Sequence, residues 1–61
     1  MEEDPSELHE KIRRFHREGK YDEAIEVLDT LIEKDPNNPK LYINKGNAYY
    51  YQQKYEQALK N

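Results

Sequence analysis

The sequence has no cysteine and no tryptophan in its 61 residues, and only two glycines. Without cysteine there are no disulfides and no thiolate metal ligands. Two histidines alone fall short of the ligand set of a structural zinc site, so no metal is expected. No apolar run approaches the ~20 residues of a membrane-spanning helix. Met1-Glu2-Glu3-Asp4 is acidic, unlike a secretion signal or transit peptide, so a soluble, cytoplasmic protein is expected. Gly-rich phosphate loops and nucleophile elbows are missing too. Ser6 and Thr30 are the only small hydroxyls; Ser6 reads as part of a first helical turn, and Thr30 has no histidine near it in sequence. The sequence therefore offers no catalytic residues and no cofactor site, and an enzyme is not expected.

Charge and tyrosine are what the sequence has in quantity. Charged residues make up 38%, hydrophobic residues 34%, and six tyrosines supply most of the aromatic content. The net charge of −3 argues against a general nucleic-acid binder. It is distributed unevenly. Residues 1–39 hold twelve acids and six bases, a net of −6, whereas residues 40–61 hold four bases and one acid, a net of +3. A chain this short buries only about 60% of its unfolded surface, so it relies on efficient helix packing or on a partner.

The chain repeats itself at a period of 34 residues. That shift pairs Pro5 with Pro39, Leu8 with Tyr42, Phe15 with Tyr49, Tyr21 with Tyr55, Ala24 with Ala58 and Ile25 with Leu59. Helix punctuation falls in the same register. Asp4-Pro5 and Asn38-Pro39 each read as an N-cap followed by proline at the first helical position. Leu8, Ile12 and Phe15 form an i, i+4, i+7 stripe, and Gly19 supplies the left-handed residue that ends a helix. Tyr21, Ala24, Ile25, Leu28, Leu31 and Ile32 give the next helix a wide apolar face. Asp35-Pro36-Asn37-Asn38 is a turn. The expectation is an all-α array of antiparallel helix pairs in one domain, residues 1–61. Repeat one covers 5–38, with helices at 5–18 and 21–34. An incomplete repeat two covers 39–61, with helices at 39–52 and 55–61. Gln53 stands where repeat one has Gly19, so fusion of the last two helices through Gln52-Gln53-Lys54 is the open alternative.

These residues resemble the tetratricopeptide repeat family, whose pattern is a bulky residue, Leu-Gly and Tyr in the first helix, then Ala, an aromatic and Pro in the second. Leu8, Lys11-Ile12, Phe15, Ala24, Leu28 and Pro36 occupy those places in repeat one. Tyr42, Lys45-Gly46, Tyr49 and Ala58 occupy them in repeat two. Ile12 departs from the small residue expected where paired helices approach closely. Lys11 and Lys45 replace leucine, their stems able to cover apolar surface while the charge reaches water. The resemblance implies a protein-binding scaffold whose first helices line a concave, peptide-receiving groove. His9, Arg13, His16 and Arg17 would line it in repeat one, and Ile43, Asn47, Tyr50 and Tyr51 in repeat two. Arginine forks suit carboxylates, so an acidic peptide is the expected ligand. The carboxylate clamp of some family members is not supported. Asn47 matches its middle asparagine, but His9 and Arg13 stand where lysine and asparagine would be.

Each unit of such an array buries its face only against neighbours, and about three are normally needed. With fewer than two, Tyr42, Tyr49, Tyr55, Ala58 and Leu59 would form an exposed surface suited to self-association. A homo-oligomer is therefore expected, and a purely structural self-assembling module, stacked or domain-swapped, is the alternative to peptide binding.

Overall fold

The computed structural model describes residues 4–60; Met1, Glu2, Glu3 and Asn61, and with them the ends of the expected 1–61 domain, lie outside the described residues. Three helices follow one another: α1 (Pro5–Arg17), α2 (Tyr21–Lys34) and α3 (Pro39–Lys60). The described residues contain no strand. The fold is all-α, with α2 packed against both α1 and α3.

Local chemistry sets the helix ends. Asp4 is extended, and its carboxylate accepts the Ser6 N–H at 3.2 Å ahead of Pro5 in the first turn. That satisfies one of the N–H groups a helix start leaves unpaired. At the other end the Lys20 N–H reaches back to the Phe15 carbonyl (2.8 Å) and the Gly19 N–H to that of His16 (3.2 Å). This paired closure requires a left-handed residue between helix and turn, and Gly19 supplies it at φ +74°. Asn38 caps α3, its side-chain oxygen accepting the Lys40 N–H at 3.1 Å, while its amide donates to Asp35 at 3.2 Å.

Leu8, Ile12, Ala24, Ile25, Leu28, Leu31, Leu41 and Ala48 form the core, flanked by Phe15, Val27 and Ile32. Among the described residues, Leu28 is the largest side chain fully removed from solvent. Leu41 and Ala48, seven apart, are the residues by which α3 meets this core. The repeat register instead points to Tyr42 and Tyr49 as the counterparts of Leu8 and Phe15. In the structure both remain about half exposed. The reason is that Leu8 and Phe15 belong to the core that α2 builds with α1, whereas among the described residues no helix covers the corresponding side of α3.

The expected break near Gln53 is corrected: α3 is one 22-residue helix rather than separate helices at 39–52 and 55–61. Gln52, Gln53 and Lys54 are all good helix formers, and none takes the left-handed conformation as cheaply as glycine. Tertiary contacts favour the same outcome. The Tyr21 ring stacks on Tyr51 (6.5 Å between centroids) and meets Tyr55 edge-on (6.0 Å). The Gln52 amide donates to the Asp22 carboxylate. These contacts latch the middle of α3 onto the start of α2 and the turn before it.

Candidate functional site

An open cleft of about 550 Å³ lies between α1 and α3. It exists because α2 packs against both of these helices, which meet each other far less extensively. His9, Arg13, His16 and Arg17, at i, i+4, i+7 and i+8, make one wall together with Glu10 and the edge of Ile12. Asn44, Asn47 and Tyr51, at i, i+3 and i+7, make the other. Such spacings return to one side of a helix every turn or two, so each wall is a single stripe.

Of the residues expected in the groove, His9, Arg13, His16, Arg17, Asn47 and Tyr51 line this cleft, while Ile43 and Tyr50 do not. Ile43 is 61% exposed and lies with Tyr50 on a different side of α3. Asn44 was missed, although it stands one turn before Asn47 and could have been found by continuing that stripe backwards. Glu10, also missed, is one turn before Arg13.

The electrostatics of the α1 wall are unequal. Arg13 is engaged by Glu10 in an exposed (i, i+3) ion pair. The Arg13 hydrogen bond and charge, with a further contribution from Arg17, hold the Glu10 carboxyl below the ordinary carboxylate value. Arg17 forms no ion pair with a described residue, so its guanidinium is the cation left available in the cleft. His16 packs edge-on against Tyr21 (5.3 Å, 79°), and its Nε2 is buried without a hydrogen-bond partner. The opposite wall contributes amides from Asn44 and Asn47, which can both donate to and accept from a peptide backbone. No group of three or more His, Asp or Glu among the described residues is placed to hold a metal ion. None of the described helices is long and apolar enough to cross a membrane.

The residues expected to form a self-association surface do not share one face. Tyr42 and Tyr49 lie along one side of α3, with the Tyr42 hydroxyl donating to the Pro36 carbonyl at 2.9 Å. Tyr55 and Leu59 instead line a smaller cleft of about 220 Å³ beside Gly19, Lys20 and Tyr21. Ala58 is exposed and lines neither cleft.

Comparison with known proteins agrees with the architecture. Residues 13–52 match the family described as TPR repeat, about two-thirds of the chain. The chain is similar to RNA polymerase II-associated protein 3 of Rattus norvegicus and of Mus musculus, each 41% identical over 51 residues. Its counterpart in Homo sapiens is 39% identical over the same length. The aligned stretch covers 84% of this chain and 8% of each relative, so the chain spans a small fraction of the length of the proteins it matches. No solved structure matches it significantly.

Proposed function

This chain belongs to the tetratricopeptide repeat family, and we propose that it is a non-catalytic contact module that receives an extended, acidic peptide in the cleft between α1 and α3. The observation that carries this reading is the pairing of unlike walls: basic side chains on α1 face carboxamides and a tyrosine on α3. Arg17, with Arg13 once it exchanges Glu10 for a ligand, offers forked donors to peptide carboxylates. Asn44 and Asn47 hold the peptide backbone, and Tyr51 provides flat contact area with a polar tip. Residues 5–38 and 39–61 act together as a single domain here, because the cleft takes one wall from each. A cytoplasmic setting fits the same reading. RNA polymerase II-associated protein 3 is named for an association, and a short stretch of this kind suits one contact among several in an assembly.

The test is titration with a glutamate-rich peptide at low salt. Arg13→Glu together with Arg17→Glu is expected to abolish binding while leaving helicity intact; undiminished binding by that variant would refute the reading. Self-association through the exposed tyrosines of α3 is the second reading, favoured by the half-exposed Tyr42, Tyr49 and Tyr55. It requires a solution mass above the 7.4 kDa of one chain, and a monomer at all concentrations would end it.

A further inference from the structure

One side chain in the cleft between α1 and α3 acts against the ligand proposed for it. Among the described residues that line the cleft, Glu10 is the single acid. It stands three residues before Arg13 and seven before Arg17, spacings that return to one side of a helix. The Arg13 guanidinium donates a hydrogen bond to the Glu10 carboxylate. Arg13 and Glu10 remain 65% and 69% exposed, within reach of an incoming ligand. The hydrogen bond and charge of Arg13, and with them the charge of Arg17, hold the Glu10 carboxyl below its ordinary value. Both arginines therefore act on the place that this carboxylate occupies. The neighbouring acids Glu7 and Glu18 lie outside the lining, and Glu18 is paired with Lys20 at 3.6 Å.

A glutamate carboxylate on Arg13 is the same contact that an acidic peptide would make there. In the empty cleft it is already made, by a group tethered one helical turn away and so at high effective concentration. A peptide carboxylate must displace that group to reach Arg13, or settle on Arg17 beside a like charge. With the histidines neutral, two arginines against one glutamate leave the lining at +1; without Glu10 it would stand at +2.

Resting on the acidic-peptide reading of the cleft, we infer that Glu10 is an internal competitor for the ligand: its carboxylate occupies Arg13 until a peptide carboxylate replaces it. Arg17 is then the point of first engagement and Arg13 the point of exchange. Glu10 sets the affinity that an acidic segment must reach before it is held, and no part of the peptide has to touch it for this to work.

The test is titration of an oligoglutamate peptide at low salt into the full chain and three variants. Glu10→Gln should bind about three- to tenfold more tightly, the range expected when an exposed ion pair no longer has to be broken and a like charge leaves the site. Glu7→Gln removes the same charge from the same helix outside the cleft, and its gain should be much smaller. In an Arg13→Gln chain, adding Glu10→Gln should give little further gain, because there is no longer an arginine to release. Circular dichroism checks that all variants stay helical. Equal gains from Glu7→Gln and Glu10→Gln overturn the inference in favour of general charge balance. An undiminished gain without Arg13 also overturns it, since Glu10 would then act by repulsion alone. Equal binding by the unaltered chain and Glu10→Gln removes the competitor and leaves the acidic-peptide reading standing. Absence of binding by both removes that reading and the competitor with it.

Discussion

Helices α1 and α3 begin alike and end differently. Each starts at a proline preceded by a capping side chain, Asp4 or Asn38, and each contributes one wall of the cleft. At Gly19 the first reverses through a left-handed residue and α2 folds back over it. At Gln53, the equivalent place, the chain continues as helix and the outer face of α3 stays open. Two units with the same underlying pattern thus differ in whether they close on themselves. The difference rests on one backbone conformation and on the aromatic latch that holds the straight alternative.

The largest effect on this comparison comes from the element the two halves share. Leu28 is fully buried in α2, which packs on both α1 and α3. Leu28→Ala is expected to cost about 3–5 kcal/mol, since deletion of a well-packed leucine adds a cavity to the lost transfer energy. At roughly 0.05–0.15 kcal/mol per residue a chain of this length has a net stability of about 3–9 kcal/mol, so the loss is a large share of it. Urea unfolding followed by circular dichroism should show loss of all three helices in one transition. Survival of α3 after α1 and α2 have melted would mean that the halves are held independently.

The turn that closes the first unit comes next. Gly19→Ala places a Cβ on a residue at φ +74°, 3.1 Å from the Tyr55 ring. The left-handed strain alone is about 1–2 kcal/mol, and Tyr55 must shift as well. Pairing this change with Tyr55→Ala in a double-mutant cycle separates the two causes. A cycle with no coupling energy would remove the ring contact from the account.

The converse change tests whether glycine suffices to open α3. Gln53→Gly should cost about 1 kcal/mol in helix propensity. It should also lower amide protection around residues 52–55, as the straight helix begins to exchange with a bent one. Unchanged protection there would assign the straightness of α3 to the Tyr21, Tyr51 and Tyr55 contacts instead.

How much of this the sequence reveals follows the same division. The closed unit was legible: the Asp4-Pro5 cap, the stripe of Leu8 and Ile12 and the stop at Gly19 are each local signals that the structure realises. In α3 the 34-residue register pairs Tyr42 and Tyr49 with Leu8 and Phe15, and the incomplete second unit was expected to leave them exposed; both are about half exposed, because a core needs a covering helix to exist. The residues that enter it, Leu41 and Ala48, were hidden because apolar side chains occur on several sides of α3. The cleft divides likewise. The α1 stripe was readable from its spacing, while the rotation of α3 that presents Asn44 and Asn47 and turns Ile43 and Tyr50 away depends on how the helix sits on α2.

The smallest effects are those of pH, and they too separate a contact within one helix from a contact between two. The Glu10 carboxyl is lowered by Arg13 one turn away, so its stabilisation is present above the ordinary glutamate value and lost as pH falls through the lowered one. Lys45 is raised above its ordinary 10.5, chiefly by its hydrogen bond to Asp29 on α2. Its contribution is therefore complete below that value and lost as pH rises through the raised one. Both pairs are solvent-exposed, so each effect on stability is small. NMR titration distinguishes them: Arg13→Gln should return Glu10 upward, and Asp29→Asn should return Lys45 downward. Only the second change should also loosen the joint between α2 and α3, seen as faster amide exchange on both sides of it. Equal loosening by both changes would mean that the joint depends on general charge balance and not on the Lys45–Asp29 contact.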